Sequence, residues 1–182
     1  MEILDTPISG LFVIKPKVHI DGRGYFMESF NSVSFNQHFA DTTFVQDNES
    51  KSNRCVLRGL HCQLPPFEQS KLVRVIEGEI FDVAVDVRTE SQTYGSFFSI
   101  TLNDENKKQL FVPKGFLHGF LVLSETAIVN YKVDNLYSPE HDSGVIFNDP
   151  NININWPIGF DEMIISSKDS KLSKFEEFIS PF

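Results

Sequence analysis

The stretch "KLVRVIEGEIFDVAVDVR", residues 71–88, decides the fold class. In its second half Phe81, Val83, Val85 and Val87 fall on one face, and Asp82, Ala84, Asp86 and Arg88 on the other. That is a period of two, the pattern of a strand half-buried against a core. "KLVRVI" ahead of it is a shorter strand candidate, and "EGE" supplies a turn between the two. Downstream, "SFFSITL" repeats the alternation, with Phe98, Ile100 and Leu102 set against Phe97, Ser99 and Thr101. "QLFVP", "GFLVLS" and "AIVNYKV" are further short candidates, separated by "TESQTYG", "NDENKK", "PKG" and "SE". Many short strands at close spacing predict an antiparallel sandwich or barrel. Helical signal is weak. "SVSFNQHF" near residue 35 reads as a short helix, and "SKLSKFEEF" recurs apolar every three residues through Leu172, Phe175 and Phe178. That stripe is expected to dock the tail on the sheet.

The chain has 182 residues, of which 41% are hydrophobic, enough for a single globular domain over residues 1–182 with a real core. No repeat or low-complexity linker divides it. The net charge of −9 argues against nucleic acid as a partner, because phosphate binding wants a basic face. Cys55 and Cys62 are the only cysteines, and they read as reduced thiols of a cytoplasmic protein rather than a disulfide framework. The N-terminus lacks the basic region and long apolar run of a signal peptide. No stretch approaches the roughly 18 apolar residues of a membrane span, so no membrane partner is expected.

"VLRGLHCQLPPFEQSKLVRV", residues 56–75, sets Arg58, His61 and Lys71 among apolar neighbours. Charged groups near a core are costly unless something pairs or uses them. His61, Lys71, His118 and Tyr131 sit in or beside predicted strands, whose alternate positions line the interior of a closed barrel. Each alone reads as a satisfied structural residue; together they supply a base, a cation, a second imidazole and a phenol. "PKGFLHGF" has the Pro-x-Gly-x-x-His spacing of the second cupin metal motif, but the first motif needs His-x-His and the chain has His61-Cys62-Gln63. Gln is a poor transition-metal ligand, and Cys62 alternates away from His61, so no metal is expected. There is no Gly-x-Ser-x-Gly elbow and no phosphate-binding glycine loop. "DGRGYF" reads as a turn carrying Arg23.

The segments "HIDGRGYFMESF", "FVQDNESKSNRCVLRGLHCQLPPFEQSKLVRVIEGEIFDVAVDVRTESQTYG", "LFVPKGFLHGFLVLSE", "YKVDNLYSPEHDSGVIFNDP", "INWP" and "ISSKD" follow one another in order. Over roughly residues 10–170 this resembles the dTDP-4-dehydrorhamnose 3,5-epimerase family, most specifically through Leu-Arg-Gly-Leu-His followed by Lys-Leu-Val-Arg-Val. The resemblance implies a mainly β, cupin-like jelly roll with short peripheral helices, a homodimer, and no metal or organic cofactor. It implies an isomerase that takes a nucleotide-diphosphate sugar with a 4-keto group and inverts C3, C5 or both. His61 would be the base, paired with Asp169; Tyr131 the opposing acid; Lys71 the group beside the ketone. Arg23, Arg58 and Lys168 would meet the diphosphate. Phe26, Glu28, Gln46, Asn48, His118 and Tyr137 would line the rest of the site. The chemistry agrees: a C4 ketone acidifies the hydrogens on C3 and C5, and inversion needs acid/base groups on both sides of the ring.

The chain departs from the family pattern at Cys62, where an aromatic residue is expected, at Gly22 and Asp142, where an acidic residue and Glu are expected, and at Ser70, a usual Gly. None removes an acid or base, but each affects pocket volume and the fit of nucleotide and sugar. A GDP-linked 4-keto heptose epimerase of capsule synthesis would carry the same machinery. Competing readings are a non-catalytic nucleotide-sugar-binding cupin, a metal-dependent cupin, which Gln63 disfavours, and a 3,4-ketoisomerase on a related scaffold.

Overall fold

The computed structural model describes residues 1–182. Its main elements are β1 (Glu2–Asp5), β2 (Phe12–Lys15), β3 (Val18–Asp21), β4 (Gly24–Met27), α1 (Ser32–Asn36), β5 (Gln46–Asn53), β6 (Val56–Gln63), β7 (Lys71–Glu77), β8 (Glu79–Asp86), β9 (Phe97–Asn103), β10 (Gln109–Val112), β11 (Phe116–Val122), β12 (Thr126–Val133), β13 (Asp142–Gly144) and β14 (Ile164–Ile165). One sheet runs β1-β2-β10-β7-β12-β5, and the other β13-β6-β11-β8-β9 with β14 added parallel to β6. β3 and β4 form a separate hairpin. Two facing antiparallel sheets of this kind form a cupin-like jelly roll.

The sheets meet through one apolar cluster. Val73, Val75, Leu110, Val112 and Val129 of the first sheet face Ile80, Ala84, Leu102, Phe116 and Phe120 of the second. These residues fill one part of the interior and leave the rest to polar side chains. A second cluster covers the outside of the second sheet. There Leu57, Val83, Val85, Leu117 and Leu121 pack beneath Phe147, Ile154, Trp156 and Phe178 of the C-terminal segment. Each such side chain fully withdrawn from water stabilises the fold by roughly 2 kcal/mol. A third cluster seats α1 on the outside of the first sheet through Phe35, Ile14, Leu72 and Phe111. α1 starts where Asn31 Oδ1 accepts hydrogen bonds from the amides of Val33 and Ser34, at 3.0 and 3.2 Å.

Two expectations are corrected. β8 is not half-buried: covered by the barrel interior on one face and the C-terminal segment on the other, it buries Asp82 and Asp86 as completely as its valines. Asp86 is satisfied by Arg88, whose Nε donates at 2.8 Å, and by the hydroxyls of Ser91 and Thr93 at 2.6 and 2.7 Å. Burial alone would raise its pKa, but these bonds bring it down to about 2. The C-terminal stripe also forms no continuous helix; Asp169–Lys171 and Phe175–Glu177 are separate 3-10 turns. Its docking role holds, with Phe178 buried and Phe175 packed in the outer cluster.

Candidate active site

The polar part of the interior opens as a cleft of about 520 Å³, which continues into a second lobe of about 350 Å³. His61, Lys71 and Tyr131 line both. They come from opposite walls: His61 from β6 of one sheet, Lys71 and Tyr131 from β7 and β12 of the other. Strand alternation accounts for this. On β6 His61 turns inward while Leu60 and Cys62 turn out into the C-terminal cluster.

His61 Nε2 lies 3.0 Å from Asp169 Oδ1. Asp169 is held on its other side: Oδ2 accepts from the Gly59 amide at 3.1 Å, and its own amide donates to Ser166 Oγ at 3.0 Å. Burial works to raise the Asp169 pKa, but the bonds from His61, the Gly59 amide and Ser166, with the charge of His61, bring it down to about 2. It is therefore a firm anionic partner that fixes the imidazole. Gly59 makes this possible. Its φ is +123°, and a Cβ there would stand 2.6 Å from Gly119 Cα and 2.9 Å from the His118 carbonyl. Only glycine lets β6 and β11 approach at this point.

Burial lowers the pKa of Lys71, opposed by its interaction with Cys62 and by the carboxylates of Asp142 and Asp82. Burial raises that of Tyr131, which keeps the phenol protonated and able to donate; Arg58 works against the shift and Asp142 with it. The Cys62 thiol is pushed up to about 12, chiefly by burial, and is neutral and unreactive. His118 lines the main lobe with its Nε2 2.8 Å from Asp82 Oδ1.

Arg58 and Lys168 line the main lobe; Arg58 Nε donates to Ser52 Oγ at 3.0 Å, and Lys168 pairs with Asp142. Gln46, Asn48 and Tyr137 line the second lobe, where Gln46 Nε2 donates to Asn48 Oδ1 at 2.8 Å and the Tyr137 hydroxyl donates to Asp142 Oδ2 at 2.9 Å. Asp142, seen in the sequence only as a departure, thus ties Lys168 to Tyr137. Arg23, Phe26 and Glu28 do not reach the cleft in the single chain. Arg23 sits at the β3–β4 turn against Asp21, and Phe26 and Glu28 border a separate cavity of about 320 Å³. Gln63 is committed elsewhere: Nε2 donates to the carbonyls of Phe67 and Leu136 at 2.6 and 3.1 Å, and Oε1 accepts from the Ser138 amide at 2.7 Å.

A cupin-like jelly roll with a carboxylate-fixed histidine facing a phenol and a lysine across its interior defines an acid–base isomerase scaffold. The dTDP-4-dehydrorhamnose 3,5-epimerase family matches residues 5–177. A dTDP-4-dehydrorhamnose 3,5-epimerase of Methanothermobacter thermautotrophicus is 52% identical over 175 residues, covering 96% of this chain and 94% of the relative. The Escherichia coli enzyme of the same name is 45% identical over 181 residues, covering 98% and 97%. Among solved structures, a dTDP-6-deoxy-D-glucose-3,5-epimerase of Legionella pneumophila in complex with dTDP-4-keto-L-rhamnose superposes with a TM-score of 0.94 at 42% identity, covering 98% of this chain and 94% of that one. This chain belongs to the dTDP-4-dehydrorhamnose 3,5-epimerase family, and it is an epimerase.

Proposed function

We propose that this enzyme inverts C3 and C5 of a dTDP-linked 4-keto-6-deoxyhexose, such as dTDP-4-keto-6-deoxyglucose. The observation that carries the reading is the arrangement of proton-handling groups on opposite walls of one cleft, His61 from one sheet and Tyr131 from the other. His61 takes a proton from carbon next to the ketone, and Asp169 stabilises the resulting imidazolium. Electrons move into the C4 oxygen, and Lys71 opposes the negative charge of the enolate. Tyr131 returns a proton to the opposite face, which inverts the carbon. Arg58 offers a planar fork for the diphosphate. Lys168 joins it by exchanging Asp142 for phosphate. His118, Gln46, Asn48 and Tyr137 frame sugar and base.

The active unit in this reading is a homodimer. Arg23, Phe26 and Glu28 are on or beside a hairpin that leaves Ile20 82% and Phe26 71% exposed, and such an apolar hairpin is suited to reach a second copy's cleft. The two free thiols fit the cytoplasm. There the product is used for lipopolysaccharide or capsule.

The test is incubation in deuterium oxide with dTDP-, GDP- and UDP-linked 4-keto hexoses and heptoses, read by NMR and mass spectrometry. Deuterium and inversion at C3 and C5 of the dTDP-hexose support the reading. Preference for a GDP-linked heptose, movement of the ketone, or no exchange overturns it. Scattering that shows a monomer at micromolar concentration removes the dimer.

A further inference from the structure

Gln63 ends β6 at 5% exposure, and its carboxamide bonds only to backbone. Oε1 accepts from the Ser138 amide at 2.7 Å, and Nε2 donates to the carbonyls of Leu136 and Phe67 at 3.1 and 2.6 Å. The Leu136 carbonyl and the Ser138 amide belong to the two peptide groups of Tyr137. Phe67 belongs to the segment that joins β6 to β7. The amide oxygen faces an N–H and the amide nitrogen faces two carbonyls, so both hydrogens are used and the group fits only one way round. Gln63 also pairs in register with Asp142, which accepts from the Tyr137 hydroxyl. The chain from 136 to 142 thus loops around one side chain. Tyr137 itself is 55% exposed, so core packing does not fix it. A buried amide is costly unless its bonds are made, and here all of them converge on the loop that carries Tyr137 and on its neighbour.

We infer that Gln63 is a positioning residue for substrate binding: by bonding both peptide groups of Tyr137 it holds the phenol at the second lobe before substrate arrives. This rests on the epimerase reading, in which Tyr137 frames sugar and base. Order already present in the free enzyme does not have to be supplied by binding, so the clamp strengthens affinity. Gln63 makes no hydrogen bond to His61, Lys71, Tyr131 or Asp169, so its loss falls on KM rather than on turnover. Other bonds of this loop leave the peptides of Tyr137 untouched: Asn135 Nδ2 donates to the Pro66 carbonyl at 3.1 Å, and Ser138 Oγ lies 2.8 Å from His141 Nδ1.

Gln63→Met keeps length and volume without the bonds, and Gln63→Glu keeps an acceptor but turns its second oxygen toward two carbonyls. Turnover and KM for dTDP-4-keto-6-deoxyglucose are measured across pH beside wild type, and exchange of the Ser138 amide is followed by NMR without substrate. Gln63→Met is expected to raise KM at least about tenfold with turnover changed less than about threefold. Gln63→Glu should match it at about pH 8 and regain most of the wild-type KM at about pH 5.5, where a buried carboxyl facing carbonyls is protonated and donates again. Added to Tyr137→Ala, Gln63→Met should change KM less than about twofold, because the residue it holds is gone. An unchanged KM, a loss confined to turnover, no recovery of Gln63→Glu at low pH, or losses that multiply in the double variant overturn the inference. Should the variants not fold, the wild type decides: a Ser138 amide that exchanges at least about 100-fold more slowly than an open peptide supports the clamp, and exchange at the open-peptide rate overturns it. If the wild type does not turn the substrate over, the functional reading falls, while Ser138 exchange in wild type and Gln63→Met still decides whether Gln63 holds Tyr137.

Discussion

Asp169 follows His61 by 108 residues, yet its Oδ1 sits 3.0 Å from His61 Nε2. The short 3-10 turn that begins at Asp169 delivers the carboxylate to β6, and the Gly59 amide catches its second oxygen.

This geometry makes Asp169 a source of stability that depends on pH. Its pKa is lowered from 3.8 to about 2, so the contribution is complete above the ordinary carboxylate value and is lost as pH falls from about 4 through about 2. The amount is on the order of 2 kcal/mol. Thermal unfolding of wild type against pH should show that loss, and Asp169→Asn should lack it. The same variant should turn over at least about tenfold more slowly, since the imidazole stays but loses its orienting partner.

His61 and Tyr131 should separate proton removal from inversion. His61→Asn is expected to abolish deuterium uptake at both carbons, a drop of at least about 100-fold. Tyr131→Phe keeps ring shape and packing and should still bind substrate and exchange deuterium, because His61 returns protons to the face they left. Inversion should fall far more than exchange at one carbon at least. If a folded His61→Asn exchanges at near the wild-type rate, or Tyr131→Phe inverts both carbons normally, the assignment is wrong. Tyr137 then becomes the acid to test.

Gly59→Ala combines a left-handed backbone with a close contact. The added methyl would stand 2.6 Å from Gly119 Cα, backbone that cannot swing aside as a side chain can. The expected cost is about 3 kcal/mol or more in urea unfolding. Any folded fraction should also be less active, because the Gly59 amide helps hold Asp169. Wild-type stability in this variant would remove the steric argument.

Exhaustive dialysis against a chelator is expected to leave epimerisation intact. At the place of a metal-binding His-x-His motif, Gln63 spends its amide on Phe67, Leu136 and Ser138 backbone. Activity lost to chelator and restored by a single divalent ion would contradict this.

Much of the jelly roll was legible in the chain itself. Alternation in "SFFSITL" and "AIVNYKV" marks β9 and β12, because residues two apart must share a face of a sheet. The "LRGLH" and "KLV" segments likewise put His61 and Lys71 on inward positions of β6 and β7. β5 was not legible from pattern. "QDNESKSN" is rich in residues that strands disfavour, and it becomes a strand because β12 pairs with it from Thr126↔Asn53 to Val133↔Gln46. That pairing is what brings Gln46 and Asn48 to the second lobe.

The sequence by itself determined which residue types are present and which share a strand face, for these are local properties of a chain with a two-residue period. Only the tertiary structure decided that both faces of β8 are covered, the Asp82 and Asp86 face by the barrel interior and the valine face by the C-terminal segment, where local pattern shows a one-sided strand. It also decided that His61 has Asp169 and His118 has Asp82, and that Arg23, Phe26 and Glu28 lie away from the cleft of their own chain. Hydrogen bonds between residues distant in sequence are set by how sheets stack and where the tail returns, and no local period encodes that.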